Sequence, residues 1–558
     1  MKIGPAAFWR QLLLAVLAVG WLASLGARPL YKPDEARYGE IAREMAQSGD
    51  WLTPRLNGFK YFEKPPLQYW ASAAALKAFG EHDWSVRLWT GVMALFGVGL
   101  TFYAGRRLFS PRAGALAAVV LASCPLYVAL GQLSTLDMGV AVFLSAGVFA
   151  FAVGQSSSDE RTARRWILTA WAACGLAVLS KGLIGIVLPA ASVALYVLLR
   201  RDWRLLSRLE PVRGAALFLA IAAPWFIAVS LRNSEFARFF FVQEHWQRFT
   251  TTMHHREHPV WYFLPVLAAG VLPWLLVMVA GWARAARGVP PTEAIGGVRA
   301  RSFSPELFLG LWALVVLVFF SLSHSKLPPY ILPMLPALAA LAGAYLAGEP
   351  RRALLVAQCL LVAAAGVALA LGEGTLEALV DRNPGLAALA GAYRPWLAAA
   401  AASLLAAGVI GAAAASVARR RAAVACIAAG SLAAALLALV GHRVFAPVFS
   451  ASELAAAAIQ SGGNDAKFYT VETYDHSIPW SLRRTVTMVG YKDELSVAIG
   501  WEAERFLPDL ESFRRAWGAE RKAYAFFALR DFDGLREKLG VPLEEVARSP
   551  RYVLVRKP

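Results

Sequence analysis

Apolar residues in this chain come in runs of about 20, separated by short polar stretches rich in arginine. At about 1.5 Å per residue, a helical run of that length matches the roughly 30 Å hydrocarbon core of a bilayer. The pattern predicts thirteen spans, at roughly 8–27, 85–105, 113–131, 135–154, 165–180, 183–199, 214–231, 260–282, 305–322, 328–347, 353–371, 395–417 and 422–445. The first reads as a retained helix, not a cleaved signal peptide. Its apolar stretch is long, and "SLGARPLYKPDE" offers no clear small-x-small site. No internal repeat is evident, which weighs against the inverted-repeat transporters.

Two regions depart from this pattern. In "DEARYGEIAREMAQSG", Tyr38, Ile41 and Met45 stand at offsets of three and four. That spacing predicts a short helix lying in the membrane interface, with its charges on the opposite face and Asp34 at its start, as catalytic group or N-cap. A second interfacial helix is expected after "FEKPP", around Gln68, Tyr69 and Trp70. From about Ala446, "KFYTVE", "TVTMVG" and "YVLVRK" alternate as strands do, while "ASELAAAAIQSG" and "FRRAWGAERKAYAF" have helical spacing. About 110 residues of this kind suffice for a small α/β domain. The chain therefore divides into a membrane domain, 1–445, and a tail domain, 446–558, with long loops at 28–84 and 232–259.

Composition narrows the class. Of 558 residues, 58% are hydrophobic and 17% charged, too few charges for a soluble protein of this size. The net charge of +18 does not indicate nucleic acid, because the arginines cluster in every second loop. Examples are Arg106, Arg107 and Arg112, then Arg200, Arg201, Arg204 and Arg208, then Arg419, Arg420 and Arg421. The positive-inside rule places those loops and the amino terminus in the cytoplasm, and the long loops and tail outside. Cys124, Cys174, Cys359 and Cys426 sit in apolar runs and read as packing residues.

The outer loops collect the ionisable residues: Asp34, Glu35, Arg37, Glu63 and Lys64 in the first, and Glu244, His245, Arg248, His254, His255, Arg256 and His258 in "EHWQRFTTTMHHREHPVWY". Short turns add Asp137, Lys181, and the set His324, Lys326 and Tyr330. Ionisable groups at membrane depth are costly and mark function. Cations beside acids at a lipid–water boundary suit a substrate with a phosphate at the head of a lipid. Tyr61, Tyr330 and Trp70 are candidates for stacking on a sugar or isoprenoid, or are ordinary interface aromatics. Glu63 with His245 is a candidate divalent-metal pair, for zinc, although "HHREH" matches no zinc signature.

"PDEARYGEIAREMAQSGDWLTPRLNGFKYFEKPPLQYW", "STLDMG", "LSKG", "FVQEHWQRF", "HPVWYFLPVLAAGVLPW" and "SKLPPYILPMLPAL" together resemble the lipid A aminoarabinose transferases, over most of residues 30–345. These are type-C glycosyltransferases, related to the protein O-mannosyltransferases. The resemblance implies a polytopic α-helical enzyme of a Gram-negative inner membrane with its active site in the periplasm. It would move 4-amino-4-deoxy-L-arabinose from undecaprenyl phosphate to a phosphate of lipid A, contributing to resistance to polymyxin and cationic peptides. It implies catalytic roles for Asp34, Asp137 and Glu35. The implied substrate-binding set is Arg37, Tyr38, Tyr61, Lys64, Lys181, Glu244, His245, Arg248, Lys326 and Tyr330. No cofactor is expected to be required. The expected partners are the lipid-linked donor, lipid A and membrane lipids, with the chain a monomer.

A phosphate acceptor is already ionised at neutral pH, so a strong general base is unnecessary. Asp34 is then expected to stabilise positive charge on the sugar ring or to orient a substrate, with Arg37 and Lys64 holding the departing phosphate. Direct displacement with inversion is the simplest course. The rivals are a related transferase with another sugar or a protein hydroxyl acceptor, a lipid-linked sugar transporter, and a membrane anchor for the tail.

Overall fold

The computed structural model describes residues 15–247, 258–288, 303–348, 350–372 and 386–558. Among these, eight helices are long and apolar enough to cross a membrane, or ten if two bent pairs each count as one span. Shorter apolar helices at Ala15–Gly26 and Ile184–Arg200, and the more polar Glu160–Lys181, complete the set of predicted segments. Two predicted spans are broken. The run read as 113–131 is Pro111–Ala122 followed by Pro125–Gly131, bent by 68°, and the run read as 260–282 bends by 74° between Gly270 and Leu272. Pro125 and Pro273 stand at these breaks, where each removes an N–H and disfavours helix in the residue before it. Pro328–Met334, with three prolines, winds as a 3-10 helix before Leu335–Ala347.

The Asp34–Ser48 helix forms as the spacing predicts, and Gly49 ends it in the left-handed conformation (φ 72°). Its charged face, however, is not solvated. Glu35, Arg37, Glu40 and Arg43 are buried along with Tyr38, Ile41 and Met45. The reason is the tail domain, which lies over it. Tyr38, Ile41 and Met45 share one apolar cluster with Trp480, Met488, Leu495 and Ile499. Gly39 lets the two pack closely: a Cβ there would stand 2.6 Å from Leu30 Cδ1, so the Leu30 side chain would have to move, and 3.4 Å from the Trp480 ring. The second predicted interfacial helix is Leu67–Phe79. Between the two, β1 (Arg55–Leu56) and β2 (Phe59–Lys60) form a hairpin about Asn57-Gly58, both with positive φ as that turn demands. Asn57 donates to the Val486 carbonyl (2.9 Å) and accepts from its N–H (2.7 Å), and Arg55 pairs with Glu502 (2.9 Å), so the hairpin too is tied to the tail domain.

The tail folds as an α/β domain. Its strands are β3 (Lys467–Val471), β4 (Thr487–Val489), β5 (Phe506–Leu507), β6 (Ala523–Ala528), β7 (Glu544–Arg548) and β8 (Tyr552–Arg556), in the order β5-β4-β3-β6-β8-β7. The first four are mutually parallel, and β8 pairs antiparallel with both β6 and the edge strand β7. Alternation sends Phe468, Tyr524, Phe526 and Leu554 to one apolar cluster and Tyr469, Val471, Phe527 and Val555 to another, as a sheet covered on both faces requires. "FRRAWGAERKAYAF", read as one helix, is a helix to Ala519 and then strand β6.

At the seam, burial and the neighbouring Glu40 push the Glu44 carboxyl up from 4.5 to about 8, against the pull of Arg43. A carboxyl raised on folding opposes the folded state once it ionises, so this contact weakens as pH rises from about 4.5 to about 8. Glu44→Gln keeps an oxygen for the Gly58 N–H, which Glu44 accepts at 2.9 Å. The melting temperature of the wild type should therefore fall more between pH 5 and pH 8.5 than that of the variant. Equal slopes would remove Glu44 from the account.

Candidate active site

The membrane domain and the tail domain enclose a cavity of about 540 Å³. Several elements of the membrane domain feed it. The Asp34–Ser48 helix supplies Asp34, Arg37 and Tyr38 from its first turns, and the following loop supplies Glu63 and Lys64. A π-helix, Arg238–Gln247, supplies Phe239, Gln243 and Glu244. π-Helices are rare and recur at functional sites because the wider turn re-aims side chains. Helix ends bring Asp137 and Lys181, and the 3-10 turn brings Leu327 and Tyr330.

The tail domain contributes His476, Asp493, Glu494, Ser496 and Val497. These follow the carboxyl ends of β3 and β4, two adjacent parallel strands, where α/β sheets ordinarily present their ligand-facing loops. The sequence reading missed all five. The available signal was the charged "TYDHS" and "YKDELS" stretches directly after two predicted strands.

Each basic group in the cavity stands beside an acid. Arg37 bridges Asp34 (3.1 Å) and Glu494 (2.7 Å), and Glu494 also makes a short bond to His476 Nε2. Burial raises the Glu494 carboxyl, but His476 and Arg37 outweigh it and hold the group down at about 2. Lys64 pairs with Glu244 (2.9 Å) and donates to the Glu63 carbonyl (2.8 Å). Lys181 binds Asp137 and lies 4.7 Å from the centre of the Tyr330 ring. Burial, reinforced by Glu244, pushes the Glu63 carboxyl up.

Nine residues named from the sequence thus meet at one cavity: Asp34, Arg37, Tyr38, Glu63, Lys64, Asp137, Lys181, Glu244 and Tyr330. Asp34 is the first residue of its helix rather than the N-cap, which is Pro33. Three others are placed differently. Glu35, expected as catalytic, points into the bundle. Its carboxylate binds Arg28 and accepts from Arg87 at 2.7 and 3.0 Å, and from the Ser134 N–H at 3.0 Å. Burial would raise this carboxyl, but Arg28 and Arg87 hold it well below the usual carboxylate range. Lys326 is buried and donates to the Ser323 carbonyl, closing its own turn outside the cavity lining. Tyr61 is buried behind the lining, its hydroxyl without a hydrogen-bond partner. The His245 side chain and residues Arg248, His254, His255 and Arg256 lie outside the described residues. Among the described residues, no group of three or more potential metal ligands forms.

This fold, a helical membrane bundle with a polar cavity under a C-terminal α/β domain, is of the type-C glycosyltransferase class. Residues 63–227 match the family described as dolichyl-phosphate-mannose-protein mannosyltransferase, and residues 454–557 match the aminoarabinose transferase C-terminal domain. The structure of ArnT from Cupriavidus metallidurans bound to undecaprenyl phosphate superposes with a TM-score of 0.90 at 35% identity, covering 99% of this chain and 98% of that one. The chain belongs to the aminoarabinose transferase family and is a multi-pass membrane protein. An undecaprenyl phosphate-α-4-amino-4-deoxy-L-arabinose arabinosyl transferase of Sodalis glossinidius is 37% identical over 347 residues, 61% of this chain but only 59% of that relative. The archaeal oligosaccharyltransferase AglB from Archaeoglobus fulgidus, at 13% identity and a TM-score of 0.50, shares the fold alone.

Proposed function

We propose that this protein transfers 4-amino-4-deoxy-L-arabinose from undecaprenyl phosphate to a phosphate of lipid A. The observation that carries the proposal is the charge of the cavity lining. Six carboxyl groups, on Asp34, Glu63, Asp137, Glu244, Asp493 and Glu494, face three firm cations, on Arg37, Lys64 and Lys181, with His476 beside Glu494; even with the Glu63 carboxyl pushed toward its neutral form, the acids outnumber the cations. A phosphate alone would enter such a site against a surplus of negative charge. A donor whose sugar carries an ammonium group supplies both partners. Its phosphate takes the cations from their present acids, and its amine meets the acids so released. Likeness to a structure holding undecaprenyl phosphate supports the same donor.

The ionised acceptor phosphate attacks the sugar carbon while the bond to the carrier phosphate breaks, with inversion. Lys64 and Arg37 take up the charge of the departing phosphate. Asp34 faces the positive charge that develops on the ring. The distribution of arginine between alternate loops supports a cavity on the periplasmic side of an inner membrane.

Product formation by the purified protein in detergent tests the reading against a transporter, which has no membrane to act across there and would yield no new bond. In that assay Lys64→Gln should raise the donor KM roughly ten- to hundredfold, the usual worth of a hydrogen bond to a charged group. An unchanged KM would take Lys64 off the phosphate.

A further inference from the structure

The tail domain brings one carboxylate into the transfer cavity in a defined relation to Asp34. Arg37 joins the two: its Nη1 lies 3.1 Å from Asp34 and its Nη2 lies 2.7 Å from Glu494. A guanidinium is a rigid planar fork, so it fixes the separation of the groups it bridges. The two carboxylates stand on either side of this one group, close enough for a single pyranose ring to span them from C1 to its 4-substituent. Glu494 belongs to the loop after β4 and reaches the cavity only because the tail domain packs over the Asp34–Ser48 helix.

Glu494 is also the lining acid best placed to receive a cation from the substrate. Asp137 holds Lys181, and Glu244 holds Lys64. Glu63 is pushed up toward its neutral form, and Asp493 is exposed and accepts from the Tyr491 hydroxyl at 3.0 Å. Glu494 stays ionised, with one oxygen on Arg37 and the other on His476 Nε2. A carboxylate has about four lone-pair sites, so capacity remains for a further donor. A second observation points to a sugar in the same place. The hydroxyls of Tyr61 and Tyr69 are buried with no hydrogen-bond partner among the described residues, and both feel the charges of Glu63, Arg37 and Glu494. Buried polar groups are ordinarily paired, so two orphans beside this carboxylate mark where polar groups of a ligand arrive. We infer that Glu494 determines sugar specificity: its carboxylate binds the 4-ammonium group of the donor while Asp34 faces C1, and the tail domain thereby selects the aminated sugar over its hydroxylated counterpart. The inference rests on the proposed transfer reaction.

Kinetics of the purified full-length protein in detergent test it with two donors. One is undecaprenyl phosphate bearing 4-amino-4-deoxy-L-arabinose, and the other is the same carrier bearing L-arabinose, with a hydroxyl at that carbon. The readout is the ratio of kcat/KM for the two. The wild type should favour the amino donor by roughly ten- to hundredfold, the worth of a hydrogen bond to a charged group. Glu494→Gln keeps the shape, removes the charge, and should bring the ratio close to one. A change that merely loosened the cavity would slow both donors alike and leave the ratio where it was. If Glu494→Gln does not fold, Glu494→Asp, which keeps the charge but draws it back by one methylene, should still lower the ratio severalfold. A wild type indifferent to the two donors, or a ratio unmoved in the variant that folds, would overturn the role of Glu494 and leave the transfer standing, since product would still form. No product from either donor with the wild type would instead overturn the transfer reaction, and this inference with it.

Discussion

Asp34→Asn should leave the protein folded and reduce the turnover rate by roughly a hundredfold to a thousandfold, the usual effect of removing one electrostatic contact to a transition state. Asp34 is the lining carboxylate with its side chain 43% exposed, and its ion pair is with Arg37 one turn along. A group so placed contributes little to stability, because Asp34 itself stays solvated and the buried Arg37 keeps Glu494 as its partner at 2.7 Å when Asp34 is neutralised. Its effect should therefore appear in the chemical step. The check is a comparison of kcat with melting temperature. A variant with wild-type kcat would show that Asp34 takes no part in transfer.

Glu35→Gln, one residue away, should do the reverse. Glu35 is 3% exposed and binds Arg28 and Arg87, themselves 7% and 1% exposed. Neutralising it leaves two guanidiniums buried beside an amide. Breaking a buried pair in this way costs roughly 3–5 kcal/mol. The network also predicts an acid limit. Because the folded carboxyl titrates below its unfolded value of 4.5, its stabilisation is complete above that pH and is lost as the pH falls further. Loss of folded protein in detergent, or a much lower melting temperature, is the expected result. A Glu35→Gln protein that melts like the wild type yet does not transfer would restore Glu35 to the chemistry.

This pair also shows what the sequence could and could not reveal. "PDEARY" marks both carboxylates as unusual, since both follow an apolar run and start a helix. Adjacent helical positions point about 100° apart. Which one faces the cavity depends on Arg87, more than fifty positions away, and no local pattern reports that. Lys326 was misplaced for the same reason, because a lysine in an outer turn looks alike whether it faces a substrate or its own turn. The membrane helices were legible because hydrocarbon thickness imposes a length on the sequence. Their breaks at Pro125 and Pro273 were not, since both flanks remain apolar. Asp137 and Lys181 stood out as charges among hydrocarbon, and Arg37 and Lys64 as a cluster of charge directly after an apolar run. His476 and Glu494 did not, because a charged loop in a water-exposed domain is ordinary. They matter only because that domain packs over a helix some 440 positions earlier in the chain.

The cavity between the two domains is proposed to join aminoarabinose to lipid A. The most direct measurement is mass spectrometry of lipid A from cells that carry the intact gene, the Asp34→Asn gene or neither. Lipid A should be heavier by one aminoarabinose with the intact gene alone. Unmodified lipid A with the intact gene, or full modification with Asp34→Asn, would contradict it.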